Sequence, residues 1–106
     1  MPVLTSYDLK KLKKNTLVSV AGIVTLRQRP GTANGVSFLS LEDETGTINI
    51  VCWNNIYNKF YKEILFAKLL LVEGLMQKEY GVINIIAQSI KDISHLLELL
   101  PKINKY

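Results

Sequence analysis

The stretch from Gly35 to Trp53 constrains the fold most. Two runs alternate apolar and polar residues, Val36 to Leu41 and Thr47 to Trp53, around the turn-forming segment Glu42-Asp43-Glu44-Thr45-Gly46. Period-two alternation on both sides of a short polar turn ending in glycine reads as a β-hairpin. Alternation also assigns faces. If Leu39 and Leu41 point inward, Phe38 and Ser40 point outward; if Ile48, Ile50 and Cys52 point inward, Asn49, Val51 and Trp53 point outward.

The flanking sequence supplies further strands. Leu17 to Arg29 is rich in valine and isoleucine, with Val18, Val20 and Val24 expected to face a core. Gly22 interrupts it where a long strand must bend or let another backbone approach. Its end runs into a proline- and glycine-containing loop whose mouth holds the only two arginines, Arg27 and Arg29. Leu69 to Lys78 and Val82 to Ile93 are two more strands, joined through Glu79-Tyr80-Gly81, and Gly74 interrupts the first as Gly22 interrupts the opening strand. Between the third and fourth strands, Ile56, Phe60 and Ile64 recur at four-residue spacing beside Tyr57. That is the stripe of an amphipathic helix, which Asn54 or Asn55 can cap. A helix over 5–14 is expected from Thr5-Ser6 and the lysine-rich end of that segment, and a capped apolar helix over 94–100 from Ser94 to Leu100, stopped by Pro101.

Five strands, a helix between the third and fourth, and a first strand long enough to serve two sheets describe a Greek-key OB-fold barrel, all-β, with short helices before and after. The 106 residues amount to one domain, with a core over about 17–93. A hydrophobic fraction of 48% with 21% charged residues excludes a mostly disordered chain. The single cysteine, Cys52, cannot form an internal disulfide, and no Cys/His cluster suggests zinc, so neither metal nor cofactor is expected. The apolar runs are shorter than the ~20 residues of a membrane span, so a soluble, cytoplasmic protein with no membrane partner is expected.

The net charge of +4 permits nucleic-acid binding without requiring it. The densest basic cluster, Lys10, Lys11, Lys13 and Lys14, reads first as a solvated helix end. Single-strand binding by such a barrel needs aromatic platforms on the outer face of the second and third strands and cations along a groove. The residues that meet this are Phe38, Ser40, Asn49 and Trp53 on the face, Arg27 and Arg29 at one loop, and Lys78 with Tyr80 at the other. Glu42, Asp43 and Glu44 are read as turn chemistry, with Asp43 bonding backbone amides. His95 has no serine-acid partner at motif spacing, Cys52 alternates inward, and no phosphate-cradling glycine motif is present, so an enzyme is not expected.

Specific runs carry a resemblance. Arg27-Gln28-Arg29-Pro30-Gly31-Thr32-Ala33-Asn34-Gly35-Val36, Leu41-Glu42-Asp43-Glu44-Thr45-Gly46 and Val51-Cys52-Trp53 resemble the C-terminal OB-fold domain, of the tRNA-anticodon-binding type, of bacterial C-family DNA polymerase III alpha subunits. The error-prone branch is the most similar. Ala67 to Gly74 and Ala87 to Leu97 resemble the rest of that domain, so the similarity runs from Leu17 to Leu97. It implies single-stranded DNA binding near the template and contact with other domains or subunits of a replication or repair polymerase active in translesion synthesis. Polymerase activity is not implied, because the palm aspartates and the PHP domain of a complete alpha subunit are not in this sequence. The chain then corresponds to an excised domain, a split-gene remnant or a free-standing relative. Two other readings use the same barrel: a protein-interaction module docking through Leu69, Leu71 and the C-terminal leucines, and an RNA-binding domain like the anticodon-reading domains of class II synthetases.

Overall fold

The computed structural model describes residues 2–31 and 35–99. In chain order they form β1 (Val3–Leu4), α1 (Ser6–Leu9), β2 (Thr16–Gln28), β3 (Ser37–Asp43), β4 (Gly46–Cys52), α2 (Asn54–Phe66), β5 (Leu69–Glu79), β6 (Val82–Asp92) and a 3-10 helix, Ser94–Leu99. The strand order is β1-β2-β3-β4-β6-β5, and β2 also pairs with β5, which closes β2 to β6 into a barrel. Closure removes the free edges that a five-stranded open sheet would expose.

The long β2 makes this possible. Its first part, Thr16 to Ile23, pairs antiparallel with β5, and its second part, Ile23 to Gln28, pairs with β3. A register shift between Val24 and Leu26 lets the strand turn from one partner to the next. The two-residue β1 pairs in parallel with Ser19 and Val20. It is too short to leave a periodic signal.

Alternation sorts the side chains as expected. Val18, Val20, Leu39, Leu41, Ile48, Ile50, Cys52, Leu70, Val72, Met76, Ile85, Ala87 and Ile90 are buried in one cluster, joined by Leu9 of α1 and by Ile64 and Ala67 at the end of α2. Val24 is only partly buried beside it, where β2 shifts register. Ile56, Tyr57 and Phe60 pack α2 against the same cluster. Both mid-strand glycines answer to close approach. A Cβ on Gly22 would lie 2.9 Å from the Glu42 carbonyl oxygen and 2.9 Å from Leu41 Cβ. One on Gly74, at the β5–β6 register shift, would drive into the Ile86 carbonyl oxygen and lie 2.9 Å from Ile85 Cγ2.

The helical segments differ from expectation in extent. The expected helix over 5–14 is one turn, Ser6–Leu9, with Thr5 as N-cap and a capping box to Asp8. A helix this short is marginal alone, and the following lysines add like charge. The carbonyls of Lys10 and Leu12 instead accept from Lys78 Nζ, each at 3.0 Å. Asn15, at φ 66°, then turns the chain and donates its N–H to the Met76 carbonyl at 2.7 Å. The C-terminal segment is a 3-10 helix, Ser94–Leu99; Leu100 and Pro101, included in that expectation, lie outside the described residues. The N-cap of α2 is Trp53 and makes no side-chain cap bond. Asn54, expected as a possible cap, accepts from Arg29 Nη2 at 3.3 Å instead.

Asp43 ties α1 to the barrel. Its Oδ1 accepts from Thr45 N and Oγ1, both at 2.8 Å, and from Gly46 N at 3.0 Å, while Oδ2 accepts from Ser6 N at 2.7 Å. Burial raises its pKa, but the hydrogen bonds from Ser6, Thr45 and Gly46 outweigh burial and hold it below the ordinary carboxylate range. Hydrogen bonds from Thr5 lower Asp8 in the same direction. A depressed folded-state pKa contributes stability that is present above the unfolded value near about 4 and is lost as pH falls through the folded value. Thermal melting temperature is therefore expected to drop as the pH is taken below about 4. Asp43→Asn, whose amide nitrogen cannot accept, is expected to cost about 1 kcal/mol at neutral pH and to flatten part of that acid limb in denaturation scans.

Candidate nucleic-acid interface

The β3–β4 register sets the face. Phe38 is opposite Val51 and Ser40 opposite Asn49, and residues directly opposite in a ladder share a side. The neighbours extend both rows. Gln28 pairs with Phe38 and Leu26 with Ser40 on one side; Val51 pairs with Ile86 and Asn49 with Asn84 on the other. The result is an apolar row containing Phe38, Val51 and Ile86 beside a polar row of Ser40, Asn49 and Asn84. Phe38 is 39% exposed while its neighbour Leu39 is 2% exposed. Trp53, at the end of β4, is 47% exposed. Asn49 donates through Nδ2 to the Ile83 carbonyl at 3.4 Å, which orients its amide along the face.

The two arginines have different surroundings. Arg27 is opposite the buried Leu39, so it points toward the barrel's inner side at the strand end. There Nε donates to the Ile64 carbonyl at 2.8 Å and Nη2 donates to the Ala67 carbonyl. These are carbonyls at the C-terminal end of α2, whose last turn has no basic residue of its own. A cation there satisfies orphan acceptors and suits the helix dipole. Arg27→Ala is expected to destabilise the fold by about 1–2 kcal/mol, read as a lower denaturant midpoint. Arg29 lies over the Tyr57 ring at 3.6 Å from its centroid. With the bond to Asn54, this contact holds its planar group at the root of the loop.

At the other loop, Lys78 is partly buried and spends Nζ on the Lys10 and Leu12 carbonyls. Tyr80 is fully exposed and sits at φ 51°, with Gly81 following at φ 78°. Two successive left-handed residues between the paired Glu79 and Val82 make a tight two-residue hairpin turn, which favours Asn-Gly. A tyrosine is not a residue that turn chemistry favours at the first position. Tyr80→Asn is expected to stabilise the fold by up to about 1 kcal/mol in thermal melts, and to weaken oligonucleotide binding by about 1 kcal/mol in titrations.

The structure thus brings Phe38, Ser40 and Asn49 to one side of the β3–β4 hairpin, with the exposed Trp53 just past the end of β4, Arg29 at one loop and Tyr80 at the other. Arg27 and Lys78 are bonded to main-chain carbonyls of neighbouring segments. In the sequence Tyr57 reads only as part of the α2 stripe, not as the partner of Arg29, and Asn84 is not singled out. The alternation of β6 carried a signal for Asn84, but only the pairing with Asn49 places it on this face. Cys52 is buried, and burial pushes its thiol up to about 12, so it is unreactive. Among the described residues no three His, Cys, Asp or Glu side chains are grouped to hold a metal ion, and no helix is long and apolar enough to cross a membrane.

A closed five-stranded barrel with a helix between its third and fourth barrel strands, presenting an outer face of aromatic and amide side chains, defines an OB-fold binding domain. The chain belongs to the family of OB-fold nucleic acid binding domains of the tRNA-anticodon type, whose profile matches residues 18–93. It is 42% identical over 98 residues to the error-prone DNA polymerase 1 of Rhizobium meliloti (strain 1021), covering 92% of this chain and 9% of that protein. It is 48% identical over 94 residues to the error-prone DNA polymerase of Ruegeria pomeroyi, covering 89% of this chain and 8% of that protein. The chain therefore spans less than a tenth of the length of these relatives. Among solved structures, the asparaginyl-tRNA synthetase of Pyrococcus horikoshii complexed with asparaginyl-adenylate has a TM-score of 0.73 at 21% identity, over 88% of this chain and 22% of that one. At that identity the likeness is one of fold.

Proposed function

We propose that the outer face of β3 and β4 binds single-stranded DNA, as the template-binding domain of an error-prone polymerase or of a free-standing relative. The observation that carries this reading is the exposed Phe38 beside the Ser40–Asn49 pair, a stacking surface next to hydrogen-bonding groups. Bases stack on Phe38 and Trp53 without sequence demand, each worth ~1–3 kcal/mol. Ser40 and Asn49 meet base edges or sugar. Arg29 meets phosphate at one rim and Tyr80 closes the other. Arg27 and Lys78 hold α2 and the N-terminal turns beside the face. The identity to error-prone DNA polymerases supports DNA over RNA, and on this reading the domain works beside other domains or subunits of a cytoplasmic replication and repair polymerase in translesion synthesis.

The cations lie at the rim and the central rows carry none, so the salt response is expected to be moderate. With one phosphate neutralised by Arg29, affinity is expected to fall about threefold for a fourfold rise in salt. Titration of Trp53 emission with a mixed-sequence single strand at low and high salt tests this. Saturable quenching that weakens with salt supports the reading, and unchanged emission at every concentration contradicts it. Preference for a ribose strand of the same sequence would move the assignment from DNA to RNA.

A further inference from the structure

The hairpin between β5 and β6 holds a second concavity, which the aromatic pair Phe38 and Trp53 does not reach. Gln77, Glu79, Tyr80, Val82 and Asn84 line a hollow of about 350 Å³, within the range of small-ligand pockets. Gln77 is opposite Asn84 and Glu79 opposite Val82, so all four side chains are on one side of the ladder. Asn84 is in turn paired with Asn49, and Asn49 with Ser40. One polar row therefore runs across four strands, Ser40–Asn49–Asn84–Gln77, from the proposed stacking face into the hollow. At the usual spacing of strands its length is about 14 Å.

The chemistry of the lining is specific. No lysine or arginine lines the hollow. The side-chain bonds nearby are those of Asn49 to Ile83 and of Lys78 to Lys10 and Leu12. They leave the Gln77 and Asn84 amides and the Glu79 carboxylate without a protein partner among the described residues. A phosphate is repelled by such a lining, whereas a flat heterocycle with donors on its edge fits it, with the fully exposed Tyr80 ring available to stack. Lys14 and Asn15 line the adjoining hollow, which shares Gln77 and Glu79, so a cation is placed for the backbone of a nucleotide whose base sits here.

We infer that the hollow is a nucleobase pocket that selects bases bearing an exocyclic amino group over thymine and uracil. An ionised carboxylate only accepts hydrogen bonds. The amino group of cytosine, adenine or guanine can donate to Glu79, as acidic side chains accept from the cytosine amino group in DNA readers. The carbonyl oxygen that thymine and uracil carry where cytosine carries its amino group would face the Glu79 oxygens lone pair to lone pair. The amides of Gln77 and Asn84 present both a donor and an acceptor and accommodate the rest of the edge. The inference rests on the proposed single-strand binding and adds base preference to a surface otherwise read as sequence-tolerant.

The test uses the full chain and labelled oligo-dC and oligo-dU of equal length, which differ at the base edge concerned, with a mixed-sequence strand as reference. Oligo-dC is expected to bind about five- to tenfold more tightly than oligo-dU. Glu79→Gln, whose amide can donate to a carbonyl, is expected to bring the two within about twofold, chiefly by improving oligo-dU. Phe38→Ala, outside the hollow, is expected to weaken both by the same factor and keep the preference. Equal binding of oligo-dC and oligo-dU by the unaltered chain, or a preference that survives Glu79→Gln, would overturn the base pocket while leaving single-strand binding in place. Failure to bind any of the three strands would overturn both.

Discussion

Gly74→Ala is expected to be among the most damaging single-methyl additions in this chain, lowering stability by about 3 kcal/mol and the melting temperature by on the order of 15 °C. The new Cβ meets the Ile86 carbonyl and Ile85 Cγ2 where β5 and β6 shift register, so both flexible and rigid partners would have to move. The neighbouring strand cannot retreat, because Ile85 is fully buried in the core. Gly31→Ala provides the comparison. A Cβ there meets nothing within 4 Å, and thermal melting is expected to be unchanged. Equal melting temperatures for the two variants would show that close approach at Gly74 does not govern the barrel.

Phe38→Ala combined with Trp53→Ala is expected to have the largest effect on binding. If each ring carries a stacked base, the double substitution lowers affinity by about 100-fold, with each single change near tenfold. Both side chains are well exposed, so the cost to folding is small compared with a core truncation. Because the double variant lacks the tryptophan, affinity is read from anisotropy of a labelled strand. Arg27→Ala should behave in the opposite way, losing stability through the α2 carbonyls it satisfies while the folded fraction retains most of its affinity.

The sequence made the inside of the barrel legible because burial obeys a period of two. Leu39, Leu41, Ile48, Ile50 and Cys52 are all buried, and Phe38, Asn49 and Trp53 are exposed, as alternation requires. The turn chemistry of Asp43 was legible for a similar reason, since a short acid in a hairpin turn has nearby amides to accept from. What periodicity cannot carry is the partner of each strand. The Ser40–Asn49–Asn84–Gln77 row exists only through three pairings between segments distant in sequence. The surroundings of the cations were equally out of reach. In the sequence Arg27 and Lys78 read as nucleic-acid-binding cations of the two loops, and only the folded chain brings main-chain carbonyls of α2 and of the N-terminal turns within their reach. The N-terminal helix is shorter than its lysine-rich end suggests: after Leu9 the chain continues through Leu12 by turns bonded three residues back, and the Lys10 and Leu12 carbonyls accept from Lys78.

That the β3–β4 face is a single-strand binding surface is tested most directly by one titration. A labelled mixed-sequence DNA strand is added to the unaltered chain and to Phe38→Ala at one salt concentration, with the same sequence as a duplex for comparison. Saturable binding of the single strand, weak binding of the duplex and a roughly tenfold loss in Phe38→Ala are the expected results. Identical curves for the two proteins, or equal affinity for single strand and duplex, would contradict the assignment of this face.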